Sequence, residues 1–261
     1  MRLRGRKGIL ESIEAQPELV VLDATPHKGR WREFFGNDNP IYIELGMGKG
    51  KFISDMSVRN PHINFIGVDM YDELIRRASE KARNAWEAAH GTAQPPNLAL
   101  LRANIEGIEN MFAPNEVQRI HLNFSDPWPK AKHARRRLTH PRFVAKYMEI
   151  LNDLGEIHFK TDSQSLFEFS LNSFADMELH MRNISLHLHK EELRDDLVLT
   201  EYEGKFVERG NNIHRVEVVI GEQAIAAHRS AKHAAQMKDQ AAETSTEVSE
   251  PSTAPTVTSE G

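Results

Sequence analysis

Residues 41–58 read I-Y-I-E-L-G-M-G-K-G-K-F-I-S-D-M-S-V. The run 41–45 is short and apolar, the pattern of a buried strand, and 52–58 is amphipathic at helical spacing. Between them stands Gly46-Met47-Gly48-Lys49-Gly50, so the stretch predicts strand, glycine turn and helix. That arrangement brings backbone amides at a helix start close to a ligand. Spacing narrows the ligand: a dinucleotide fingerprint requires glycine at position 51, which is Lys51, and a phosphate loop requires Gly-Lys-Ser/Thr, whereas Phe52 follows Lys51. What is left is an acid, Glu44, two residues ahead of a Gly-x-Gly-x-Gly turn. It reads either as a site for a ligand without a pyrophosphate or as an ordinary tight turn.

Outward from this unit the pattern repeats. Residues 63–68 form a second strand run ending at Asp69, and 71–90 a helix with Leu74, Ile75, Ala78, Ala82, Ala85, Trp86 and Ala89 on one face. Asp69 at a strand end suits the two hydroxyls of a ribose, and equally suits a helix cap. A break at Gln94-Pro95-Pro96 precedes a third strand over 98–101, with Asn104 beyond it as an adenine-edge contact or a turn residue. The fourth strand, 118–124, surfaces into N-F-S-D-P-W-P-K-A-K-H-A-R-R-R at 123–137. This loop sets Asp126 and Trp128, an acid and a ring that can seat a flat heterocycle, beside Lys130, Lys132, Arg135, Arg136 and Arg137. The cations read as a phosphate-binding surface or as a solvated helix start, and Trp128 as a stacking ring or a loop anchor. A helix over 143–151, a fifth strand over 154–159 delivering Asp162, a helix over 165–175 and strands over 179–188 and 214–220 complete the pattern. In the last strand Val216, Val218 and Ile220 alternate with Arg215 and Glu217, which predicts an edge position.

Strands alternating with helices imply a mostly parallel sheet covered on both faces, and ligands in such sheets bind at the carboxyl ends of the strands. Glu44, Asp69, Asn104 and Asp126 therefore converge on one rim.

Composition bounds the function. The net charge of −5 argues against a generally nucleic-acid-coating protein, so any nucleic-acid binding would come from a local patch. With no cysteine there are no disulfides, thiol nucleophiles or Cys-zinc sites, and no apolar run approaches 18 residues, so a cytoplasmic protein without membrane contact is expected. His187 and His189 can present two imidazoles, but no third ligand stands at motif spacing, so no metal is expected. The domain organisation reads as a basic arm over 1–18 with Arg2, Arg4, Arg6 and Lys7, one folded domain over 19–221, and an Ala-rich then disordered polar tail over 222–261.

The glycine turn with Glu44 resembles the first motif of S-adenosylmethionine-dependent methyltransferases. The resemblance sharpens with F-S-D-P-W-P-K-A-K-H-A-R-R-R-L, F-K-T-D at 159–162 and T-E-Y-E-G-K-F at 200–206: between about residues 20 and 220 the chain is similar to bacterial tRNA (guanine-N7)-methyltransferases. That resemblance implies a Rossmann-like class I methyltransferase fold with a seven-stranded sheet, S-adenosyl-L-methionine as cofactor and tRNA as partner, with no obligatory protein partner. It implies cofactor-binding roles for Glu44, Gly46, Gly48, Asp69, Asn104 and Asp126, with Asp126 also the catalytic acid. Lys130, Asp162, Thr200, Glu201, Tyr202 and Glu203 fall at substrate positions. The chain departs from the family pattern at Ser125, Asn104 and Ser163, where proline, aspartate and asparagine are common. An exocyclic-amine methyltransferase and a non-catalytic RNA-binding protein on the same fold are the alternatives.

Overall fold

The computed structural model describes residues 8–189, 197–201, 203–204 and 209–247. Tyr202, the basic residues Arg2 to Lys7 and residues 248–261 of the expected tail lie outside it. The chain divides into two compact units, Met1–Ala224 and Ile225–Gly261.

In the first unit, eight strands make one sheet: β1 (Val20–Val21), β2 (Ile41–Leu45), β3 (Asn64–Asp69), β4 (Leu98–Arg102), β5 (Val117–Asn123), β6 (Leu151–Thr161), β7 (His180–Ser185) and β8 (His214–Val219). Their order is β1-β4-β3-β2-β5-β6-β8-β7; the first six are parallel, and β8 runs antiparallel between β6 and β7. Seven strands match the expected sheet, and the two-residue β1 adds an eighth beside β4. The helices are α1 (Ile9–Glu14), α2 (Trp31–Phe35), α3 (Lys51–Arg59), α4 (Asp72–His90), α5 (Pro141–Ile150), α6 (Gln164–Asp176) and α7 (Glu222–Glu247), the last containing the Ala-rich segment. No helix among the described residues is long and apolar enough to cross a membrane.

Two apolar clusters follow from the strand alternation. Ile43, Leu45, Ile120, Leu122, Ile157, Phe159, Val216 and Val218 pack with Phe143, Val144, Tyr147, Leu166 and Phe174 of α5 and α6. Tyr42, Phe65, Leu98 and Leu100 pack with Ile53, Ile75, Ala78 and Ala82 of α3 and α4, and Ile13 of α1 and Leu19 join this second cluster. Ile9 and Ile13 are buried, so among the described residues the folded unit begins with α1, ahead of residue 19.

The last strand corrects the sequence reading. β8 is an interior strand with all six residues buried, and β7 holds the edge. Its charged residues alternate because they belong to a buried ionic layer: Glu156 pairs with Arg119 at 3.0 Å and Arg182 at 2.6 Å, Arg182 reaches Glu217 at 2.8 Å, and Arg215 also bonds Glu217. Burial opposes ionisation of Glu156, yet His158 and the two guanidiniums hold it at about 2. Polar alternation that sequence reads as solvent-facing is here an internally compensated face.

Candidate cofactor and substrate cleft

Parallel strands that start together also end together, and the residues just beyond β2 to β6 form one rim. After β2 the chain doubles back on β3: the Gly46 and Met47 amides donate to Val68 O at 2.9 and 3.1 Å. Gly48 lies at φ 57°, in the left-handed region, where a Cβ would find open space but a strained backbone. Gly50 is glycine for a second reason, since a Cβ there would come within 2.6 Å of Ala78 Cβ where α3 crosses α4.

Asp69 explains the turn's shape. One carboxylate oxygen accepts from Gly48 N–H at 3.1 Å and the other from Tyr71 N–H at 3.2 Å, so Asp69, without itself being the helix cap, which is Tyr71, ties the glycine turn to the start of α4. Burial raises its pKa, and the charge of Asp126 adds to the rise, which puts the fourth-strand loop within electrostatic reach of the second strand's end. Asn104 serves as a cap, its Oδ1 accepting from Glu106 N–H at 3.1 Å. Its NH2 and the second lone pair of Oδ1 are left to offer a ligand.

Glu44 is buried in the floor of the rim. Its Oε1 accepts from Asn123 Nδ2 at 2.9 Å, and its Oε2 is buried without a hydrogen-bond partner. Burial pushes the carboxyl up to about 8, against the pull of Asn123 and Lys160. A buried oxygen with unmet acceptor capacity beside a cradle of glycine amides fits a ligand that brings its own cation. The cleft here has a volume of about 60 Å³ and is lined by Glu44, Gly46, Gly48, Phe52 and Asn123 together with Thr200 and Glu201.

The Asp126 loop is held under strain at the lip. Phe124 and Trp128 have φ of 52° and 42°, costly for bulky residues and typical of backbone whose surroundings over-determine it. Phe124 N–H donates to Lys160 O at 2.9 Å. Arg137 donates Nε to Pro127 O and Nη2 to Trp128 O, both at 3.1 Å, and its side chain is buried over Phe169. Arg137 therefore departs from the phosphate-surface reading: it is the clasp of the loop. Arg136 stays outside, its guanidinium 4.8 Å from the Trp128 ring centroid, and Asp126 and Lys130 are exposed. Asp162 is half-buried after β6, just before the Ser163 cap of α6.

Thr200 and Glu203 form a capping box, a signal legible in the spacing Thr200-x-x-Glu203. Glu203 N–H donates to Thr200 Oγ1 at 2.9 Å, and Thr200 N–H donates to Glu203 Oε2 at 3.1 Å. Glu203 is fully buried, bonded also to Lys160 Nζ at 2.7 Å and His189 Nε2 at 2.8 Å, so its carboxylate holds the turn and faces no solvent. Asn123, Lys160 and Arg137 thus form the site from inside the stretches 123–137 and 159–162, in structural roles that the motifs themselves do not show. Glu156, His158 and Glu217 bring ligand atoms within 4.8 Å of one another, but both carboxylates are occupied by arginines, which disfavours a cation.

Comparison with known proteins fits this site. Residues 38–216 match the model of a family described as "Putative methyltransferase". A tRNA (guanine-N(7)-)-methyltransferase of Geobacillus sp. (strain WCH70) is 47% identical over 218 residues, covering 84% of this chain and 95% of the relative. One of Streptococcus sanguinis (strain SK36) is 45% identical over 220 residues, covering 84% and 100%. Among solved structures, an antibiotic-related methyltransferase (TM-score 0.52, 14% identity, 73% of this chain and 92% of that one) and the 16S rRNA methyltransferase KamB (TM-score 0.52, 13%, 74% and 93%) share the Rossmann-like methyltransferase fold. A strand-end rim of acids around a glycine turn, with a family match over the whole sheet and close identity along nearly the full length of those relatives, settles the kinship: this chain belongs to the tRNA (guanine-N7)-methyltransferase family.

Proposed function

We propose that the cleft transfers a methyl group from S-adenosyl-L-methionine to N7 of a guanine in tRNA, leaving 7-methylguanosine. The observation that carries this is the facing of two turns across one cleft, the glycine turn with Glu44 on one side and the Thr200 turn on the other, with the Asp126 loop joining β5 at its lip. When bound, the cofactor supplies an electrophilic methyl on a sulfonium. Glu44, Gly46, Gly48, Asp69 and the Asn104 amide hold it; Lys130, Asp162, Thr200 and the neighbouring loop hold the nucleotide. Guanine N7 has an in-plane lone pair and no proton, so the residues need only align it and stabilise the positive charge the ring acquires. Asp126 is the carboxylate placed for that charge. The setting is the cytoplasm, where tRNA is found. The test is to incubate the protein with methyl-labelled cofactor and unmodified tRNA and identify the labelled nucleoside: 7-methylguanosine supports the proposal, and label on an exocyclic amine or no label overturns it.

Glu44 gives the cofactor site a pH signature. Its folded pKa of about 8 stands above the ordinary 4.5, so its contribution to stability is fully present below about 4.5 and is lost as pH rises through about 8. A cationic ligand draws the carboxyl back down. Cofactor binding should therefore release a proton between about pH 5 and 8 and tighten as pH rises. Calorimetry in two buffers of different ionisation enthalpy measures this; release absent in wild type, or unchanged in Glu44→Gln, would exclude Glu44 from the site.

The two arginines beside Trp128 should separate cleanly. Arg136→Glu is expected to raise the KM for tRNA and to lower the slope of log affinity against log salt by about one, with cofactor binding unchanged. Arg137→Glu should instead release the loop, lowering stability and turnover together. Equal behaviour of the two variants would contradict the assignment.

A further inference from the structure

The Thr200 turn meets the glycine turn through the Glu201 carboxylate. Glu201 accepts from Lys49 Nζ at 2.9 Å with one oxygen and from Lys81 Nζ at 2.8 Å with the other. Lys49 lies inside the glycine turn, Lys81 lies in the middle of α4, and Glu201 is 152 and 120 residues away from them in sequence. The three side chains are about one-third exposed or less, at 35%, 27% and 33%, and the two ammonium groups hold the Glu201 carboxyl at about 2. Two residues on, Glu203 anchors the same turn to β6 through Lys160. The turn therefore has two attachments with different partners. Glu203 ties it to the sheet through Lys160; Glu201 refers it to the glycine turn through Lys49.

This division separates stability from alignment. Ion pairs at this exposure contribute little to folding, so a cross-link kept here is better explained by what it fixes. What it fixes is the spacing between Thr200 and the amides of Gly46 and Gly48, the two walls of one cleft. Transfer between groups held on opposite walls is sensitive to that spacing, and a misplacement of about 1 Å costs on the order of a hundredfold in rate. Each Glu201 oxygen already accepts from a lysine of this chain, which is the geometry of a cross-link.

We infer that Glu201 is a positioning residue that locks the Thr200 turn to the glycine turn through Lys49 and Lys81, so that the donor and acceptor halves of the site form as one unit. The kinetic part rests on the proposed methyl transfer; the mechanical part does not. In the full chain without substrates, Glu201→Gln should speed amide hydrogen exchange in both 46–50 and 197–201. With substrates it should lower kcat about ten- to a hundredfold while the KM for cofactor and for tRNA and the Tm stay close to wild type. Lys81→Met, which lies away from the cleft's cofactor wall, should give part of the same loss, and adding it to Glu201→Gln should cost less than about twofold more. Unchanged exchange, a kcat unchanged against an active wild type, or fully additive losses would overturn the inference. If the wild type methylates no guanine, the proposed function fails and the exchange experiment still decides the lock.

Discussion

Asp126→Asn is expected to lower kcat for tRNA methylation by about 10² to 10³ while leaving cofactor affinity within about tenfold, the loss typical of removing one preorganised group that meets charge developing in a transition state. The argument starts from the loop. Lys160 O holds Phe124 and the Arg137 guanidinium holds Pro127 and Trp128, so residue 126 stays where it is when its charge is removed. Asparagine is nearly isosteric and keeps one acceptor, which leaves the lost charge as the difference. Cofactor affinity is protected by a second effect: the charge of Asp126 helps to raise the pKa of Asp69, so its removal eases ionisation of the acid that shapes the glycine turn. Steady-state kinetics with separate titration of the cofactor decide the matter, and near-normal turnover would take Asp126 out of the mechanism.

The second large effect is on stability. Glu203→Ala should destabilise the folded protein by about 3–5 kcal/mol, the cost of removing one partner from a buried pair and leaving the other charged and uncompensated. Glu203 is fully buried and Lys160 is 6% exposed; with the carboxylate gone, the bond to Val198 O at 3.4 Å is what Lys160 retains of its hydrogen bonds here. His189 loses its carboxylate and Thr200 its reciprocal cap at the same time. Burial already pulls the Lys160 pKa down, so part of the cost is met by release of its proton. Urea unfolding at neutral pH measures the change, and a loss below about 1 kcal/mol would mean the network does not hold the turn. Activity should fall with stability in this variant, in contrast to Asp126→Asn.

Much of this architecture was legible because its elements are local and periodic. The strand, glycine turn and helix at 41–58, the long apolar face of residues 71–90 and the short strand runs placed Glu44, Asp69, Asn104 and Asp126 on one rim, where the structure has them. Positions that depend on long-range pairing were not legible. Arg215 and Glu217 read as solvent-facing because nothing near them in sequence shows that Arg182 and Glu156 lie alongside. Arg137 looked like its neighbours Arg135 and Arg136, and only the fold turns it inward to clasp Trp128. Glu201 and Glu203 look like two similar acids of one motif, yet one faces a lysine pair at the cleft and the other is sealed against β6. The capping box at Thr200 was the exception, a local signal that was available and went unused.

The most direct measurement concerns the acceptor atom. A tRNA transcript in which 7-deazaguanine replaces guanine at the acceptor position keeps the Watson–Crick edge and loses the N7 acceptor. Labelled methyl groups should enter the unsubstituted transcript and should not enter the substituted one, although both bind the protein with similar affinity. Equal labelling of the two transcripts would show that the cleft methylates some other atom, and the account of Asp126 as the partner of a charged guanine ring would fall with it.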